Sequence, residues 1–147
     1  MVLAMAALAA CGDGRSVMQV PDPPPMLALP DEYAFGDKVA VADETAVRHV
    51  DELLRQRYGR PDVKRYTAPG NADFGALRAY YDTRAGAIGW KPIPGLGRSL
   101  FPGEYALGYE RGGSAFAVVW LTPRPGSTLV PVNVIRFGMA DQQRKGR

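Results

Sequence analysis

The chain has 147 residues, enough for one domain of ordinary size. Lys and Arg number 18 against 15 Asp and Glu, a formal net charge of +3, with hydrophobic residues at 46% and charged ones at 22%. That composition excludes a wholly disordered chain, a collagen, a coiled coil and a polytopic membrane protein. The single Cys excludes an internal disulfide and a Cys-cluster metal site, and the single His removes most zinc sites and most catalytic triads.

The first ten residues, MVLAMAALAA, carry no charge and no Gly or Pro, and they end directly before Cys11. A spanning helix needs about 20 apolar residues. This run is too short to span and has the length of a signal-peptide core. Gly12, Asp13 and Gly14 break any helix beyond it. The string Leu8-Ala9-Ala10-Cys11 resembles the lipobox of bacterial lipoproteins. The resemblance implies cleavage before Cys11, a diacylglycerol on its sulfur and acylation of the new amine. It makes residues 1–10 a signal peptide and Cys11 the lipidation site. A signal peptide opens with Lys or Arg, and residues 1–10 contain neither. The expectation is therefore that Met1 lies downstream of the true start and that a basic segment precedes it. Anchoring by more than one acyl chain is firm, since each buried CH₂ adds about 0.8 kcal/mol. In enteric-type sorting an Asp directly after the Cys retains a lipoprotein at the inner membrane. Here Gly12 follows and Asp13 comes second, which favours the outer membrane over the inner.

Residues 11–38 read as the lipidated Cys and a proline-rich tether. Pro21, Pro23, Pro24, Pro25 and Pro30 favour an extended chain that rises about 3.1 Å per residue. The folded domain is expected over 39–137, with a polar, flexible tail over 138–147.

A first helix is predicted from Glu44 to Tyr58, with Asp43 as N-cap and the apolar stripe Val47, Val50, Leu54 and Tyr58. Gly59 and Pro61 stop it. A short strand follows over Val63–Thr67, then a turn at Ala68-Pro69-Gly70. A second helix is predicted from Ala72 to Ala85, capped by Asn71 and closed by Gly86, with Phe74, Leu77 and Tyr81 on one face. Ile88, Trp90 and Ile93 begin a short strand that Pro92 and Pro94 end, and Gly95-Leu96-Gly97-Arg98 reads as a loop. Glu104–Glu110, Ser114–Thr122 and Thr128–Phe137 are predicted strands. Gly112-Gly113 supplies the positive φ of a hairpin turn between the first two. Ser114–Thr122 is apolar on both faces, which places it centrally. Pro131 cannot donate to a ladder, so the last strand is expected at an edge or bulged. The order α-β-α-β-β-β-β points to an α+β two-layer domain, with two helices on one face of an antiparallel sheet. The segment Pro69-Gly70, Tyr80-Tyr81, Gly89-Trp90 is similar to a helix-then-strand unit of small periplasmic lipoproteins.

The chemistry-bearing residues give no readable active site. His49 lies one residue off the apolar stripe, and its neighbours Asp51 and Glu52 face elsewhere on the helix. Ser16, Ser99, Ser114 and Ser127 fall in linker or turns, outside any nucleophile-elbow context. Glu104 and Glu110 flank one strand with no spacing that specifies a glycosidase pair or a calcium loop. Gly95 and Gly97 read as turn glycines, since no GK[ST] follows. Trp90, Trp120 and the other aromatics read as core, with a groove between helix and sheet as the alternative. Arg55, Arg57, Arg60, Lys64 and Arg65 cluster in sequence. An envelope-anchored domain rarely meets nucleic acid and a net charge of +3 is modest, so the cluster reads as a solvated face or as a contact for anionic lipid, polysaccharide or an acidic partner.

No catalytic, metal-binding or cofactor-binding residue is nominated, and no cofactor is expected. The resemblance at Cys11 implies a lipid-anchored, periplasm-facing lipoprotein. Its domain is expected to be a non-enzymatic binding or structural module of the cell envelope, with an unidentified envelope protein or anionic lipid or polysaccharide as partner. One alternative is an enzyme, or an enzyme inhibitor, acting on envelope polymers; it requires His49 beside a carboxylate in a pocket. Another is an accessory subunit of a secretion or assembly machine, for which Val130–Phe137 is the candidate free edge.

Overall fold

The computed structural model describes residues 19–31 and 35–138. Cys11, the apolar run before it, Ser16 and the tail beyond Gly138 lie outside the described residues. The elements are α1 (Asp37–Tyr58), β1 (Pro61–Pro69), α2 (Phe74–Ala87), β2 (Lys91–Pro92), β3 (Arg98–Phe101), β4 (Glu104–Arg111), β5 (Ser114–Leu121) and β6 (Leu129–Phe137). The strands form one six-stranded antiparallel sheet in the order β1-β6-β5-β4-β2, with β3 also on β4. The domain is α+β.

The two helices lie on opposite faces of the sheet, which corrects the expected two-layer packing. Ala46, Val50, Leu54 and Tyr58 of α1 join Ala115, Ala117, Val119, Ile135 and Phe137 in one core. Leu77, Tyr81 and Ala85 of α2 join Phe116, Val118, Trp120, Val132 and Val134 in the other. The physical reason is β5 itself. Both of its faces are apolar and buried, so both need a covering layer.

Helix α1 starts at Asp37, before the predicted Glu44, behind Gly36, which makes no side-chain cap. Asp43 is not the cap. It sits inside the helix and is buried. Helix α2 is capped by Asp73, whose carboxylate accepts from the Ala76 N–H at 3.1 Å, not by Asn71. It runs past Gly86 to Ala87 and the chain then reverses at Gly89, φ +89°. The loop expected around Arg98 contains a short strand, β3, which pairs with β4 through an irregularity between Ser99 and Phe101.

Strand β6 is interior, flanked by β1 and β5, so Val130–Phe137 is not a free edge. Pro131 is tolerated there for a reason of register. It stands opposite Thr67, whose N–H and C=O both bond away from β6, to Ala28. The Pro131 nitrogen therefore faces the β5 side, where the ladder has already ended at Trp120↔Val132. Gly70 closes the adjoining turn. Its N–H donates to the Thr128 carbonyl at 2.9 Å, and a Cβ there would overlap the Ser127 carbonyl.

The proline-rich segment is folded onto the domain from Gln19 to Ala28. Trp90 Nε1 donates to the Gln19 carbonyl at 3.1 Å and the Tyr80 hydroxyl to the Asp22 carbonyl at 2.7 Å. Ala28 forms an antiparallel bridge with Thr67, and Leu27 is buried in the α2-side core. The free spacer expected over 11–38 is thus shortened at its C-terminal end by contacts that its composition does not announce.

Candidate functional site

Val50 and Leu54 seat α1 on the sheet. The same helical turn carries His49 to the β3–β4 hairpin. Its Nδ1–H donates to Glu104 Oε2 at 2.7 Å, with both side chains largely out of solvent. The Phe101 ring covers the imidazole, with centroids 4.0 Å apart. Phe101, at the end of β3, and Glu104, at the start of β4, are opposite one another in the hairpin register, so the irregular β3–β4 hairpin positions both partners of His49. Glu104 also lines a cleft of about 150 Å³, together with Val39, Thr122, Arg124, Ser127 and Leu129. The carboxylate is thus shared between its hydrogen bond with His49 and a small cleft. The arrangement can hold a proton at Nδ1 and can clamp α1 to the hairpin.

His49→Ala and Glu104→Ala are each expected to cost about 1–2 kcal/mol, because each removes one charge-assisted bond. The double variant is expected to cost no more than the larger single. Urea unfolding of the four proteins measures this coupling, and strict additivity would mean that the pair contributes nothing.

A second polar cluster lies further up α1. Asp43 is only 4% exposed. It accepts from Asn133 Nδ2 at 2.6 Å and from Arg65 Nη1 at 3.0 Å. Burial raises its carboxyl above the ordinary carboxylate value, while the Asn133 bond and the Arg65 charge act in the opposite sense. Asn133 Oδ1 is buried with no hydrogen-bond partner among the described residues. Neither role is visible in the reading of Asp43 as a cap. The available signal was the spacing Asp43, Ala46, Val50, Leu54, which puts the Asp on the buried stripe.

The other candidates disperse. Glu110 stands at the far end of β4 and takes the Tyr58 hydroxyl and, at 3.5 Å, Arg57. Asp51 pairs with Arg55 on the exposed face of α1. Ser99 Oγ donates to the Phe101 carbonyl at 2.8 Å, and Ser114 is buried at the hairpin turn. Gly95 and Gly97 are turn glycines at positive φ between β2 and β3. The basic cluster does not form one face. Strand alternation sends Lys64 over the Tyr66 ring on the α2 side and Arg65 to Asp43 on the α1 side. Trp90 and Trp120 fill the α2-side core. Trp120 stacks between Phe74 and Tyr105, at centroid distances of 5.6 and 5.7 Å.

Among the described residues, no group of three or more His, Cys, Asp or Glu could hold a metal ion. None of the helices there is long and apolar enough to cross a membrane. In comparisons with known proteins, no family model, curated protein or solved structure matches the chain.

Proposed function

We propose that the protein is a bacterial lipoprotein, anchored through Cys11 and facing the periplasm, with the outer membrane favoured over the inner. Its α+β domain acts as a non-enzymatic binding or structural module of the cell envelope. The observation that carries the reading is the context of Cys11. The only Cys follows Leu8-Ala9-Ala10 at the end of an uncharged apolar run. An acylated Cys there accounts for the single Cys without redox chemistry. A partner is an envelope protein or an anionic lipid or polysaccharide.

The test is the intact mass of the protein expressed in a Gram-negative host, wild type beside Cys11→Ala, with membrane fractionation. The expected result is a mature chain that begins at an acylated Cys11 and is found in the membrane only for the wild type. An unmodified wild-type chain in the cytosol, expressed with a basic segment ahead of Met1, would overturn the reading.

One observation favours a second reading, an enzyme or enzyme inhibitor directed at envelope polymers. Glu104, the partner of His49, lines the cleft beside Arg124 and Ser127. A catalytic activity of the purified protein that is lost on Glu104→Gln, with the fold intact, would establish this reading in place of the first.

A further inference from the structure

The hydrogen bonds that hold the segment Gln19–Leu29 are made by its main chain, and Pro24 and Leu27 supply its buried apolar anchors. Ala28 exchanges two backbone bonds with Thr67, at 2.9 and 2.8 Å. Trp90 Nε1 and the Tyr80 hydroxyl donate to the carbonyls of Gln19 and Asp22. Only Pro24 and Leu27 of the segment are buried, while Val20 and Met26 are partly covered. Every donor that meets a carbonyl in this way reads chain direction and extension, not side-chain identity. That is the chemistry by which sheet edges accept peptide strands.

The fit is loose. Prolines at 21, 23, 24 and 25 remove four N–H donors, and a single bridge remains where a continuous strand would make a ladder. Beneath Val20–Pro23 lies a hollow of about 130 Å³, lined by Lys64, Tyr66, Tyr81 and Arg136. Tyr81 is fully buried, and its hydroxyl has no hydrogen-bond partner among the described residues. The site therefore presents more polar recognition than the resident segment uses. Local opening of such an element is far easier than unfolding the sheet beneath it.

We propose that the groove between the outer edge of β1, α2 and β6 is a docking site for an extended peptide strand, with residues 19–29 as its displaceable resident. Its partner in trans is a peptide of the same chemistry. It runs antiparallel to β1, sets a small residue opposite Thr67 and an apolar one just before it, and carries a proline three residues earlier still. One consequence rests on the lipidation of Cys11 proposed above. With the segment docked, Cys11 is at most about 27 Å of extended chain from its first held residue, Gln19. With it released, the leash runs to Asp37, about 90 Å at full extension. A peptide that takes the groove would then free the domain to work farther from the bilayer.

The experiment uses the full chain carrying Cys11→Ser, so its outcome does not depend on lipidation. The probe is a fluorescent synthetic peptide of residues 19–29, followed by polarisation. Leu27→Asp in the chain weakens the resident segment and is expected to raise affinity for the added peptide at least tenfold over the chain with Leu27. A peptide with Asp in place of Leu27 is expected not to bind. Equal binding by both chains, or binding by neither, would overturn the proposal. Hydrogen exchange on the chain without Leu27→Asp gives an answer even if that variant does not fold. The Ala28 and Thr67 amides are expected to exchange at least a hundredfold faster than that of Val118. Equal protection would mean that the segment opens only with the whole domain, and the groove would then be structural.

Discussion

Phe116→Ala is expected to destabilise the domain by about 3–5 kcal/mol, the largest effect of any single truncation in the chain. Phe116 is fully buried on β5 and lies at the centre of the α2-side core. Its ring centroid is 4.9 Å from both Trp90 and Tyr109 and 6.1 Å from Tyr81. These neighbours come from three different places. Tyr81 is on α2, Trp90 just precedes β2, and Tyr109 is on β4 and is held by Asp82 of α2 at 2.6 Å. None of them can swing into the space without losing its own contacts, so the cavity stays open. A domain of this size has about 5–15 kcal/mol in total, so the loss is a large fraction of it. Urea unfolding should show a lower midpoint with an unchanged slope. Phe116→Leu leaves a smaller cavity and should lose less than half as much. A cost below about 1 kcal/mol for the Ala variant would mean that the core collapses around the site, contrary to the packing described.

Asp43→Leu is expected to cost about 2–3 kcal/mol, because it strands the buried Asn133 amide, whose Oδ1 already lacks a partner among the described residues. Adding Asn133→Leu should recover most of that loss, since two apolar side chains of similar volume then face each other. Asn133→Leu alone should cost less than Asp43→Leu, because Arg65 still holds the carboxylate at 3.0 Å. The pH dependence has a definite sign. Burial raises the folded-state value of Asp43 above its ordinary one. The folded protein therefore binds this proton more tightly than the unfolded chain does. The contribution of this group to stability falls as pH rises from its ordinary value through its raised one, and it returns on acidification. Asp43→Asn removes the dependence. The stability of the wild type relative to Asp43→Asn should grow between about pH 7 and about pH 4, measured by urea midpoints at each pH. A difference that shrinks on acidification would mean that the Asn133 and Arg65 contacts outweigh burial.

Several elements were legible because their causes are local. The alternation of Phe116, Val118 and Trp120 with Ala117, Val119 and Leu121 marked β5. Gly112 and Gly113, at φ +53° and +82°, marked its turn. The spacing of Val50, Leu54 and Tyr58 marked α1. The failures share one form, a residue whose local and distant partners compete. Asp43 resembles an N-cap when only its neighbours are considered, yet Asn133, ninety residues away, pulls it inside the helix. Pro131 argues for an edge by its missing donor, but a missing donor costs nothing where the neighbouring ladder has ended. The apolar double face of β5 was recognised as a mark of a central strand. Its further demand, a helix on each side, follows only when the whole sheet is assembled.

The candidate site divides the same way. His49 and Glu104 were each singled out, but the pair is separated by 55 residues and no pattern joins them. The docking of residues 19–29 was hidden for another reason. Trp90, Tyr80 and Thr67 bind main-chain atoms, and every residue has those.

The sequence by itself determined the helical stripes, the central strand and the turn glycines, because each depends on residues within a few positions of one another. Only the tertiary structure decided that the helices lie on opposite faces, that His49 meets Glu104, that Asp43 is buried on Asn133, and that the proline-rich segment lies against β1 and α2. Those outcomes depend on which distant surfaces are brought together when apolar faces are covered, and a linear chain does not encode that distance as a pattern.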